Sequence, residues 1–331
     1  MSYLIEKTPR SYGKSSTSIY ETNYVKINNT KQYILIRSQD IRNPVLLLIH
    51  GGPGFTETSL FRYYNADLEK KYTVVYWDQR QCGKSFQFMK RQSILHIDFF
   101  VEDLICVAEY LIRKFDKKKI TLLAHSWGTL ISLIAVQKKP EIFNAYIGCG
   151  QVSSMPNSEL SSYNFTLRKA NEDKNSDAIK ALQNIREPED GVYSCGYRGT
   201  QIQRKWLNFY NGAFYQPSTI KQLQKVLFNT SEYNIFSTLK VLISMNDKAR
   251  NEMTYKEFLR FDLMAQYEKY EIPIYFLLGK HDNQISSKIA EEYFNKITAP
   301  YKHLEWFENS GHAPCFEEPD KFNDFVCSIK G

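Results

Sequence analysis

Five short apolar runs constrain this chain more than any other feature: Val45 to Ile49, Thr73 to Trp77, Ile120 to Ala124, Ala145 to Cys149 and Ile274 to Leu278. Each has the length of a strand buried on both faces, and none approaches the roughly 18 apolar residues that a membrane span needs. Between them lie amphipathic helical patterns. Ile97, Phe100, Val101, Leu104, Val107, Ala108, Leu111 and Ile112, for example, keep to one face at the 3.6-residue period. Alternating strands and helices predict an α/β fold whose mostly parallel sheet is flanked by helices. Upstream, Ile19 to Ile27 and Gln32 to Arg37, joined through Asn28 and Asn29, predict an antiparallel hairpin at the sheet edge. From about residue 151 to 270 the strand pattern stops. Ser176 is a candidate N-cap there for a helix carrying Ile179, Leu182 and Ile185, and Pro217 for the opening of one carrying Ile220, Leu223 and Leu227. The strand pattern resumes at Ile274, so residues 1–150 and 271–331 are expected to form one core, with 151–270 inserted as a helical cap. A helix over about 286–296, a strand over 302–307 and a helix opened by Pro319 complete the expected core.

Composition narrows the function classes. The chain has 331 residues, of which 43% are hydrophobic and 24% charged, an ordinary globular mix that excludes disordered and collagenous classes. Basic residues exceed acidic ones by 7, but they are scattered, and nucleic-acid binding needs them clustered. No nucleic-acid or membrane partner is therefore expected. The first twenty residues hold no apolar stretch of secretory-signal length, which gives a cytoplasmic expectation. The six cysteines form no CxxC pair and no zinc-finger spacing, and no two histidines share helical spacing, so neither a metal nor another cofactor is expected.

In open parallel sheets, ligands bind beyond the carboxyl ends of the strands. Here those ends read His50-Gly51-Gly52-Pro53-Gly54, Asp78-Gln79-Arg80, His125-Ser126-Trp127-Gly128 and Gly279-Lys280-His281-Asp282, with Gly311-His312 after the last strand. Ala124-His125-Ser126-Trp127-Gly128 has the small-x-Ser-x-small form of a nucleophile elbow, set between a buried strand and an apolar helix as that motif requires. A serine hydroxyl needs a base to take its proton and a carboxylate to orient the base. Ser126, Asp282 and His312 follow the chain order Ser, Asp, His expected in this setting. The other histidines are poorer bases: His50 is expected to support its glycine loop, and His125 to point away on so tight a turn. An oxyanion would be received by the N–H of Trp127 and by one from the glycine loop, assigned to Gly52. Gly83-Lys84-Ser85 lacks the upstream glycine of a phosphate loop.

Taken together, His50-Gly51-Gly52-Pro53-Gly54, Asp78-Gln79-Arg80, Ser126-Trp127-Gly128 and Gly311-His312 resemble the α/β-hydrolase superfamily, and within it the proline iminopeptidase-like serine hydrolases, from about Ile19 to the C-terminus. The resemblance implies an α/β-hydrolase fold with Ser126 as nucleophile, His312 as base, Asp282 as its orienting acid, and Asp78 with Arg80 as a structural pair. It departs from the family at Gln81, where a glycine is usual, and in Phe86 to Arg91, where the proline-pocket stretch is not recognisable. It departs again in the cap, where Trp206-Leu207-Asn208-Phe209-Tyr210 offers Tyr210 in place of the glutamate that grips a substrate ammonium; Glu159 is another cap acid that could serve. The resemblance implies a cofactor-free aminopeptidase acting on a small-molecule or short peptide substrate with an N-terminal proline or other small residue. An esterase or lactonase on the same machinery is the alternative, and a hydrolase-like binding protein the third reading. Oligomeric state is not legible.

Overall fold

The five apolar runs become the middle of an eight-stranded sheet. In this computed structural model, residues 17–87, 95–228, 233, 235–246 and 248–329 are described; the start of the chain and residues 88–91 of the stretch in which no proline pocket is recognisable lie outside them. Strands β1 (Ile19–Ile27), β2 (Thr30–Ser38), β3 (Val45–Ile49), β4 (Thr73–Trp77), β5 (Ile120–His125), β6 (Phe143–Cys149), β7 (Ile274–Gly279) and β8 (Lys302–Phe307) are ordered β1-β2-β4-β3-β5-β6-β7-β8. The β1–β2 and β2–β4 pairs are antiparallel and every other pair is parallel. Asn28 and Asn29 make the two-residue hairpin turn with φ of 41° and 63°, the left-handed pair that such a turn demands and asparagine tolerates.

The runs are continuous because both faces of the sheet are covered. Leu46 and Leu48 join Leu60, Phe61, Phe322 and Val326 in one apolar cluster; Leu47 and Ile49 join Val101, Leu104, Leu130 and Leu133 in another. The helices supplying these partners are α1 (Thr58–Tyr64), α2 (Ile97–Phe115) and α3 (Trp127–Lys138), together with the last helix of the chain. Between β6 and β7 the chain leaves the sheet and forms α4 (Met155–Glu172), α5 (Ser176–Ile185), α6 (Tyr197–Phe209), α7 (Thr219–Phe228), α8 (Ile235–Asn246), α9 (Lys248–Leu259) and α10 (Leu263–Gln266). It ends with α11 (Ser287–Lys296) before β8, then α12 (Pro314–Glu317) and α13 (Pro319–Ser328).

Two predicted helix starts shift. Asn175 caps α5, its side chain accepting the Ala178 N–H, so Ser176 is the first helical residue. Pro217 lies in a turn closed by the Thr219 N–H to Gln216 carbonyl bond, and α7 starts after it. Among the described residues no helix is long and apolar enough to cross a membrane.

Candidate active site

Ser126 joins β5 to α3 with φ 51° and ψ −122°. For a residue with a β-carbon this conformation costs on the order of 1–3 kcal/mol, and its surroundings hold it there. The Ser126 N–H donates to the Cys149 carbonyl at 3.0 Å, and its own carbonyl accepts from the Thr129 N–H and hydroxyl. The turn is tight enough that a β-carbon at Gly128 would sit 2.2 Å from the Ile49 carbonyl oxygen, so only glycine lets α3 start this close to β3.

The structure brings Ser126, His312 and Asp282 together. His312 Nε2 lies 2.8 Å from Ser126 Oγ, and His312 Nδ1 lies 2.8 Å from Asp282 Oδ2. Asp282 follows β7 and His312 follows β8. Their loops meet backbone to backbone at Gly279, whose added β-carbon would stand 1.9 Å from the Gly311 carbonyl oxygen. Burial pushes the Asp282 carboxyl up, but the His312 charge and hydrogen bond and the N–H groups of Ile285 and Gln284 outweigh it and hold it below the usual carboxylate range. A stretch between α6 and α7 also seats these loops: the His312 N–H donates to the Ala213 carbonyl at 2.7 Å and the Asn283 N–H to the Gly212 carbonyl at 2.8 Å.

A second carboxylate–imidazole pair flanks Ser126. His125 Nδ1 lies 2.8 Å from Glu57 Oε1, and His125 Nε2 lies 3.1 Å from the carbonyl oxygen of His312. Glu57 Oε2 also accepts the Gly51 N–H at 2.8 Å. The His312 carbonyl can only accept a proton, and so can Glu57 when it is ionised, an arrangement that favours the imidazolium form of the ring. Burial alone would drive His125 neutral; the Glu57 charge and hydrogen bond outweigh it and lift its pKa to about 9. His50 is the converse. Its Nε2 accepts the Gln79 N–H while Nδ1 donates to the Gly51 carbonyl, and burial pushes it below the usual histidine range.

Gln79 also ties the glycine loop to the elbow, donating to the His50 carbonyl and accepting from Trp127 Nε1. Gly52 lies in that loop, and the N–H of Trp127 opens α3, where a helix has no carbonyl of its own to offer. Gln81 holds φ 60°, the left-handed conformation that explains the glycine usual in the family. Asp78 and Arg80 do not pair with each other. Arg80 makes a bidentate bond to Asp103 at 2.6 Å, while Asp78 accepts from Thr56, Thr58, Tyr233 and the Lys84 N–H.

Residues 44–319 match the alpha/beta hydrolase fold family. The chain belongs to that family. This α/β hydrolase is similar to the "Probable aminopeptidase YbaC" of Bacillus subtilis (strain 168), at 31% identity over 300 residues that cover 90% of this chain and 92% of that protein. It is also similar to a proline iminopeptidase of Heyndrickxia coagulans, at 27% identity over 293 residues that cover 86% and 91% of the two chains. Among solved structures, the proline iminopeptidase-related protein TTHA1809 from Thermus thermophilus superposes with a TM-score of 0.63 at 19% identity, covering 93% of this chain and 96% of that one.

In this α/β hydrolase a cavity of about 330 Å³ opens at Ser126 and His312, walled by Phe55, Leu60, Phe214, Leu223, Leu227 and Phe316. Glu57 is the acid among its described lining residues, and His125 already matches its charge. Glu159, Trp206 and Tyr210 are not among those residues. Glu159 is fully buried on α4 and ion-paired with Arg204 of α6. Trp206 and Tyr210 pack against the cluster of Tyr163, Leu182 and Tyr193 within the helical segment. The helical segment thus has a small apolar core of its own, against which Trp206 and Tyr210 pack, while Glu159 pairs with Arg204 across two of its helices. Sequence reasoning missed Glu57, because nothing in the spacing from Gly51 to Glu57 signals that the carboxylate folds back on the loop.

Proposed function

We propose that the chain is a serine hydrolase working through an acyl-enzyme, and that it releases N-terminal proline or another small residue from peptides. Ser126 Oγ attacks the scissile carbonyl carbon while its proton passes to His312 Nε2, and Asp282 stabilises the imidazolium that forms. The N–H groups of Trp127 and Gly52 receive the oxyanion, each such donor being worth about 3–4 kcal/mol to the transition state. The C–N bond then breaks as His312 returns the proton to the leaving amine. Water repeats the sequence on the ester, freeing the amino acid and restoring Ser126. The observation that carries this reading is the pair of 2.8 Å contacts at the two nitrogens of His312; the names of the curated relatives favour a peptide over other acyl substrates.

The cavity supports a second reading, a carboxylesterase or lactonase. Its wall is largely apolar and its described carboxylate is already neutralised by His125, so a neutral acyl group fits it without a counter-charge. Measuring kcat/KM for proline and alanine arylamides against short-chain p-nitrophenyl esters separates the two, with Ser126→Ala as the control. The aminopeptidase reading requires the free-amine arylamides to lead and to lose rate when N-acetylated. Faster turnover of esters, indifferent to an amine, selects the esterase. Retention of either activity by Ser126→Ala would overturn both readings.

A further inference from the structure

Three side chains that no sequence spacing links converge behind the site. His125 ends β5, Cys149 ends β6 directly opposite it in the strand register, and Cys315 lies on α12. All three are buried, and one ligand atom from each lies within 4.8 Å of the others. We propose that His125, Cys149 and Cys315 form a binding site for one thiophilic divalent cation of the zinc class, and that filling it reversibly inhibits the hydrolase.

The donor set suits such an ion. Two thiolates and an imidazole are zinc ligands, and around a tetrahedral zinc their donor atoms stand roughly 3.3–3.8 Å apart, so the cluster needs only a small contraction. Glu57 already holds His125 Nδ1 at 2.8 Å, the outer carboxylate that orients a metal-binding histidine and leaves Nε2 as its ligand. The carbonyl oxygen of His312, 3.1 Å from that nitrogen, is placed to become a fourth donor. His125 lines the Ser126 cavity, which supplies the access route. Binding releases the two thiol protons and the Nε2 proton to solvent, and the two thiolates then balance the cation.

Inhibition follows from what the cation displaces. His125 Nε2–H now donates to the His312 carbonyl; metal on that nitrogen removes the donor, and drawing in Cys315 shifts a residue three positions from the base. The seat of His312 moves, and its contact with Ser126 lengthens.

The test titrates the purified full-length chain with Cd²⁺, following the ultraviolet thiolate-to-cadmium charge-transfer band, and with Zn²⁺ by calorimetry. One ion per chain is expected. Cys149→Ala and Cys315→Ala should each weaken binding by at least about tenfold, whereas Cys195→Ala, which removes an exposed thiol, should not. Absence of the band, or a band that Cys195→Ala abolishes and the other two variants keep, overturns the site. Circular dichroism confirms that each variant folds, and the wild-type band decides the question if one does not. Zn²⁺ should slow fluorophosphonate labelling of Ser126 in the wild type, with recovery on chelation, and leave Cys315→Ala unaffected; undiminished labelling of the zinc-loaded wild type overturns the inhibitory half. The binding measurement stands whichever acyl substrate the enzyme takes.

Discussion

Two carboxylate–imidazole pairs flank Ser126, and they look alike until their second nitrogens are compared. Asp282–His312 and Glu57–His125 are both buried and both 2.8 Å apart. His312 turns its free nitrogen to a serine hydroxyl, which can give up a proton; His125 turns its own to a carbonyl, which can only accept one. A carboxylate partner therefore does not make a histidine a base. On the proposed mechanism the group facing the opposite edge of the ring decides, and it suits one pair to accept a proton and the other to hold a charge.

The largest expected effects test that division. Ser126→Ala and His312→Ala should each lower kcat by about 10⁴–10⁶, while Asp282→Asn, which leaves the ring in the wrong tautomer, should cost about 10⁴. His125→Asn should cost far less, about 10–100-fold, by loosening the His312 carbonyl. A His125 variant that folds normally yet is as inactive as His312→Ala would erase the distinction.

The pairs also differ in how pH acts on them. Because Glu57 lifts the pKa of His125 to about 9, the stability this pair contributes is fully present below the ordinary histidine value of about 6.5 and is lost as pH rises through 9. Thermal unfolding followed from pH 6 to 10 should show that decline in the wild type and a flatter profile in Glu57→Gln, which should also be less stable at neutral pH by about 3 kcal/mol. Parallel profiles would mean that His125 is neutral throughout.

Glu159 extends the comparison to the helical segment. Glu159→Gln strips Arg204 of its buried partner, so it should lower stability by about 3 kcal/mol while leaving KM for a proline arylamide unchanged; a large rise in KM without loss of stability would return it to the substrate. The smallest effect belongs to Tyr210→Phe, whose hydroxyl meets Asn175 and, at 3.4 Å, Asp173. Its melting transition should stay within about 0.5 kcal/mol of the wild type.

What the sequence made legible follows the same line. Strands and their polar tails could be read because burial on both faces makes a strand a continuous apolar run, and Ser126, Asp282 and His312 each follow one. Glu57 and the Asp103 partner of Arg80 could not, since a carboxylate's partner depends on where a loop folds back or which helix crosses behind it. Periodicity gives neither. The helical segment was harder still: its helices are visible as patterns, but the facing of Glu159 toward Arg204, 45 residues away, is set by how α4 and α6 pack. Spacing likewise hid the His125, Cys149 and Cys315 cluster, in which two members are neighbours across strands and the third comes from α12.

The carbonyls that Gly212 and Ala213 lend to the loops of Asp282 and His312 have a mechanical consequence. The polypeptide that runs on from them to line the cavity at Phe214, Leu223 and Leu227 is stitched to the loops that carry the His312 ring, so it cannot hinge away as one body without breaking those bonds. On the proposed mechanism, an opened roof would leave the His312 ring without the carbonyl that seats its backbone.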